Sequence, residues 1–236
     1  MNFASTLVSA VGLGNSNAIN WDRFGPMLST AALETIQMAG TALVVGGLLG
    51  LIMGLVLYLT RPGNLLQNRW VFTILNFIIN TVRPIPFIIF AVAIGPLTRL
   101  VVGRIIGIEA AMFAMSIAAS FAAARLVEQN LVTIDPGVVE AARAMGASPW
   151  RIIRTVLIPE ALAPLILGFT FLAVGVVDMT AIMGMIGAGG LGDLALVHGY
   201  RQFNWAITWT VVAVIIVLVQ LLQMLGNYLA RKAMHR

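Results

Sequence analysis

DPGVVEAARAMGASPWRIIRTVLIPEALAP, residues 135–164, is the longest polar interruption in an otherwise apolar chain, and its reading decides how the rest is arranged. Asp135 can accept a backbone N–H at a helix N-terminus, and Pro136 takes the first helical position, where a missing N–H costs nothing. A helix is therefore expected from Pro136 to about Met145. Gly146 supplies the left-handed residue that closes it, and Ser148-Pro149 repeats the start signal for a second short helix. Arg143, Arg151 and Arg154 put this pair of helices on the cytoplasmic side of the two apolar spans that flank it.

Sixty per cent hydrophobic residues, 10% charged residues and a mean hydropathy of +0.97 lie outside the range of soluble domains, in which about a quarter of residues are charged. The chain reads as an all-α integral membrane protein. A net charge of +5 would suggest nucleic acid in a soluble protein. Here the arginines gather at span ends, as topology and contact with anionic membrane lipid require, so nucleic acid is disfavoured as a partner. There is no cysteine, which excludes disulfides and thiolate metal sites. The two histidines, His198 and His235, are too far apart in sequence to suggest a His-rich site.

About twenty apolar residues cross a hydrocarbon core of about 30 Å. On that measure five spans are expected, at about Thr30–Leu59, Val71–Leu97, Glu109–Leu131, Glu160–Ile186 and Trp205–Leu229. Gly46, Gly50 and Gly54 share one face of the first and predict close helix packing. Arg83, followed by Pro84 and Pro86, interrupts the second, where the prolines force a break and the charge needs an interface or the protein interior. Gly95 to Gly107 is expected to be an outer loop. The fourth span carries Asp178 with Met179, Met183 and Met185. An intramembrane carboxylate is a candidate for a solute path, while helix packing explains the methionines equally well. Gly187–Gly192 satisfies GxGxxG but follows a membrane helix and not a strand, so it is no dinucleotide site. It is expected to form a compact turn.

Residues 1–28 lack the basic start of a signal peptide, since the first positive charge is Arg23. They read as an uncleaved extracytoplasmic extension. Arg61, Arg69, Arg143, Arg151, Arg154, Arg231, Lys232 and Arg236 fall on one side, and Arg23, Arg99, Arg104 and Arg201 on the other. The positive-inside rule then puts the N-terminus outside and the C-terminus in the cytoplasm.

Glu140-Ala141-Ala142, Gly146, Ile158-Pro159 and Pro164 together resemble the EAA motif of permease subunits of bacterial ABC importers. TRPG at 60–63, RPIPFII at 83–89, and IGAGGLGDLA at 186–195 followed by HGYRQFN resemble the methionine-importer branch of that family, with Pro84 where serine is more usual. The resemblance covers about Ala32 to Gln223. It implies a type I ABC importer transmembrane fold of five helices with a cytoplasmic coupling helix. The permease domain would occupy 29–230, with the family's shared domain at about 32–223, a coupling loop at 133–159 and a cytoplasmic tail at 231–236. It further implies a homodimer in the bacterial inner membrane, two ATPase subunits docked at Glu140, Ala141, Ala142, Gly146 and Pro159, and an extracytoplasmic substrate-binding protein or lipoprotein. Arg83, Asp178, Met179 and Met183 are the candidates for the path.

No GxxxxGK[ST] is present and the only lysine is Lys232, so ATP phosphates would be held by a partner and not by this chain. No cofactor and no enzymatic activity are expected. The substrate implied is L- or D-methionine or a closely related small amino acid. Another amino acid, a small organic solute, or a secondary transporter using Asp178 are the alternatives.

Overall fold

The computed structural model describes residues 19–234 and is helical, with no strand among the described residues. Helix α1 (Trp21–Thr41) passes through a wide turn (Ala42–Gly46) into α2 (Gly47–Thr60). Then come α3 (Arg69–Val82), α4 (Phe87–Ala93), α5 (Gly95–Val102) and α6 (Ile108–Val132). The short α7 (Pro136–Ala144) and α8 (Pro149–Ile152) lead through a wide turn (Ile153–Leu157) into α9 (Ile158–Met183). A four-residue helix, α10 (Gly190–Asp193), precedes the long α11 (Trp205–Met234). Trp21–Thr60, Ile108–Val132, Pro149–Ala188 and Trp205–Met234 are each long and apolar enough to cross a membrane, and α3 and α4, bent by 108° at the prolines, make a fifth if the pair counts as one broken span.

The first helix begins nine residues before the expected start at Thr30. Phe24 is buried against Leu191, Leu194 and Val211, and that packing draws the polar WDRFGP stretch into the helix. The expected extension therefore ends before Trp21 among the described residues, and residues 1–18 lie outside them. At the other end α11 runs to Met234, so most of the expected tail is helical. Gly95 to Val102 is a helix and not a loop, because Pro96 sits in a favourable first-turn position and Gly103, at φ +87°, terminates it.

The chain forms two compact units. One comprises the described residues up to Thr41, Ile88–Met115 and Gly175–Leu221. Its core joins α1 to the segment after α9: the Gly190 N–H donates to the Glu34 carboxylate at 2.7 Å, and the Leu191 N–H donates to Thr35 Oγ1 at 2.8 Å. Gly187, Gly189 and Gly190 all take positive φ there, so the glycine-rich stretch is the expected compact turn, with Gly190, Leu191 and Gly192 buried.

The other unit comprises Ala42–Phe87, Ser116–Val174 and the residues from Leu222 on. Its core holds α2 against α6. A Cβ on Gly46 would stand 2.5 Å from the Ser116 carbonyl, and one on Gly54 2.5 Å from the Ala124 carbonyl, so the glycine ladder is a backbone-to-backbone contact.

Candidate functional site

The polar loop at 135–164 sits in this second unit and is built by its own side chains. Asp135 Oδ1 accepts the Gly137 N–H at 2.8 Å and Pro136 begins α7. At its end the Gly146 N–H donates to the Arg143 carbonyl and the Ala147 N–H to the Ala142 carbonyl, with Gly146 at φ +77°. This doubly bonded left-handed ending satisfies carbonyls that a helix would otherwise leave open. Ser148 then caps α8 through the Arg151 N–H at 3.4 Å.

The second short helix does not stop. It continues as α9, and the Ile158 N–H reaches back five residues to the Ile153 carbonyl. Pro159 lacks an N–H and its ring would strike the carbonyl four residues before it. Widening the turn at Ile153–Leu157 removes the conflict, so Pro159 is absorbed into one continuous helix.

One face of α7 is anchored. Val139 and Ala142 are buried with Tyr58, Leu59, Leu131, Ile134, Ile152, Ile153 and Leu157. The other face is open: Val138, Glu140, Ala141, Met145 and Gly146 are exposed, as are Trp150 and Pro159. Of the five residues predicted to meet a partner, Glu140, Ala141, Gly146 and Pro159 thus lie on accessible surface. Ala142 does not, because it packs inward. Met145 at 81% and Trp150 at 65% exposure are large apolar side chains left in the open. The signal of Met145 in the sequence is an i, i+3, i+7 row of Val138, Ala141 and Met145, turned about 100° around the helix from Val139 and Ala142. Glu140 makes no ion pair or hydrogen bond among the described residues. It borders a 240 Å³ cavity that also meets Arg61, Pro62, Asn64 and Arg143. An apolar helix face edged by one free acid and two arginines is chemistry for seating in a groove of another protein.

Beneath this surface lies a charge cluster. Glu128, with a side chain only 7% exposed, contacts Arg125 Nη1 at 2.9 Å and Arg61 Nη1 at 3.8 Å. Arg125 Nη1 also donates to Asn76 Oδ1 at 3.3 Å. Arg83 is exposed at the end of α3, its N–H bonded to the Ile79 carbonyl. In the first unit, Asp178 is exposed, Met179 is half-buried, and Met183 is buried.

The family model for the binding-protein-dependent transport system inner membrane component matches residues 25–235. The chain belongs to that family. A probable D-methionine transport system permease protein MetI of Vibrio cholerae is 40% identical over 210 residues, 89% of this chain and 93% of that protein. The methionine import system permease protein MetP of Bacillus subtilis is 41% identical over 172 residues, 73% of this chain and 78% of that protein. Among solved structures, an inward-facing MetNI methionine ABC transporter chain superposes with a TM-score of 0.85 at 38% identity, covering 88% of this chain and 96% of that one. This member of the binding-protein-dependent transport family is therefore an all-helical inner-membrane transport component with the type I importer permease fold, and a transport subunit, not an enzyme.

Proposed function

We propose that this chain is the permease subunit of an ATP-driven importer that carries methionine, in either configuration, or a closely related small amino acid into the cell. The observation that carries the reading is the capped helix Pro136–Ala144, anchored on one face by Val139 and Ala142 and presenting Val138, Glu140, Ala141 and Met145 on the other. A surface so rigidly mounted suits the transmission of force from a moving partner. The relatives named for methionine transport supply the substrate.

Two copies of the chain would form the path, since five spans enclose little by themselves and a two-fold dimer is the commonest closed assembly. Two ATPase subunits would bind ATP and grip the 133–159 loops of the permease domain, residues 29–230, through Glu140, Ala141, Gly146 and Pro159, with Ala142 acting from behind as part of the anchor. An extracytoplasmic binding protein would deliver solute. Nucleotide-driven closure of the ATPases would move the loops together and switch the path between two packed states. The N-terminus lies outside and the C-terminus in the cytoplasm on this reading, and Arg83, Asp178, Met179 and Met183 are the candidates for lining the path.

Affinity purification from membranes, followed by identification of the co-purifying chains, tests the assembly. A stoichiometric subunit carrying a GxxxxGK[ST] motif is expected, and its absence overturns the proposal.

A further inference from the structure

Helix α3 has an exposed face that hydropathy alone does not reveal. Arg69, Thr73, Asn76, Asn80 and Arg83 follow one another at spacings of four, three, four and three residues. Arg83 keeps helical geometry, at φ −55° and ψ −42°. At about 100° per residue the five side chains fall within an arc of about 80°, in a stripe about 21 Å long. That is some two thirds of a hydrocarbon core of about 30 Å.

The same helix buries Ile79, with Phe72 and Leu75 half-buried, against Leu57 and Ala124. It turns Ile74 and Phe77 outward, at 58% and 69% exposure. The apolar outward face is what lipid requires. A polar row beside it is not, because polar groups at membrane depth belong against protein or water.

The stripe is also organised. Asn76 Oδ1 accepts from both Asn80 Nδ2, at 3.0 Å, and Arg125 Nη1, at 3.3 Å. Its own amide N–H groups find no partner among the described residues. Arg125 Nε is buried and unpartnered as well. Glu128, the acid that contacts Arg125, is engaged by Arg61 as well. What faces outward is therefore a row of hydroxyl and amide groups rich in N–H and O–H donors, with a guanidinium at each end and no carboxylate of α3 among them.

From this we infer that the Thr73–Asn76–Asn80–Arg83 stripe is the wall of a water-filled path and receives an anionic oxygen group, the α-carboxylate of the transported amino acid. The inference deepens the transport reading above and rests on it for the identity of the solute. A lipid headgroup phosphate would offer similar oxygens, and the test separates the two.

The chain contains no cysteine, so single thiols can be introduced without background. Thr73→Cys, Asn76→Cys, Asn80→Cys and Arg83→Cys, with Ile74→Cys and Phe77→Cys as lipid-facing controls, are made in the full transport complex in nanodiscs. A water-soluble maleimide is added, and only variants that elute as intact complex are scored. The stripe thiols are expected to react at least about tenfold faster than the controls, since the reactive thiolate does not form in hydrocarbon. Methionine should slow the reaction at Thr73→Cys, while methioninamide, which lacks the carboxylate, should not.

Equal rates at stripe and control positions overturn the water-lined wall. Equal slowing by both solutes, slowing by neither, or slowing that follows the anionic lipid content and not methionine overturns the carboxylate assignment. ATP-driven methionine uptake by the unsubstituted complex, measured in parallel, fails only if the transport reading itself is wrong.

Discussion

Gly50→Ala is the sharpest test of the packing that supports the docking loop. A Cβ added there would meet Ala123 Cβ at less than contact distance, the Ser120 carbonyl oxygen at 2.7 Å and the Ala124 nitrogen at 2.9 Å. Two of the three obstacles are backbone, so no side-chain rotation relieves them and α2 must move away from α6. Overpacking of this kind costs about 1–3 kcal/mol, and a rigid backbone partner argues for the upper end. Alanine returns up to about 1 kcal/mol through its better helix propensity. The net loss is then about 2 kcal/mol, or about 4–8 °C in melting temperature for a chain of this size. Gly40→Ala is the matched control, because a Cβ there meets nothing within 4 Å, and it should hold or raise stability by up to about 1 kcal/mol. Ala123→Gly in the Gly50→Ala background removes one obstacle and should restore part of the loss, with a coupling above about 0.5 kcal/mol. Thermal melting of the detergent-solubilised protein, read by size-exclusion chromatography, checks all three. Equal melting of Gly50→Ala and Gly40→Ala would refute the close-approach argument.

Glu140→Lys should reduce ATP-driven uptake in vesicles to background while membrane insertion and dimer formation stay normal, because the side chain is exposed and unpaired in the permease itself. Trp150→Ala and Met145→Ala should each weaken retention of the ATPase subunit by about 2 kcal/mol, roughly thirtyfold, as large apolar groups at the centre of an interface do; pull-down at graded detergent dilution measures this. Ala142→Leu should act differently, lowering melting temperature before it affects docking, since it would overfill the cluster of Ile152, Ile153 and Leu157. Glu34→Ala removes the acceptor of the Gly190 N–H and should cost about 1–3 kcal/mol for a donor left unpaired, seen as earlier melting and faster proteolysis of the Gly187–Gly192 turn.

The start and stop signals of the loop are local chemistry, and for that reason they are legible. Asp135 reaches a backbone group two residues on and Ser148 one three residues on, so neither depends on the rest of the fold. The glycine ladder is legible for a similar reason: a four-residue spacing of Gly46, Gly50 and Gly54 has one main use in lipid. Features decided by distant partners are not. Nothing near Trp21 announces that the first helix starts there, because the cause is Phe24 packing on Leu191 and Val211. Glu34 reads as a lone acid in an apolar span until the Gly190 N–H, 156 residues away, is placed on it. Whether Ala141 or Ala142 faces outward is a matter of 100° of rotation, and only Ile152 and Ile153 settle it. The α3 stripe is a different case. It is written in the sequence at helical spacing, but a hydropathy sum over the span averages it away.

Uptake by reconstituted liposomes tests the central claim most directly, because a passive gate has no drive of its own. The permease, its co-purified ATPase subunit, the binding protein and ATP together should accumulate labelled methionine against a gradient, and omission of the ATPase subunit or of ATP should abolish it. Accumulation by this chain alone, under a proton or ion gradient, would contradict the account.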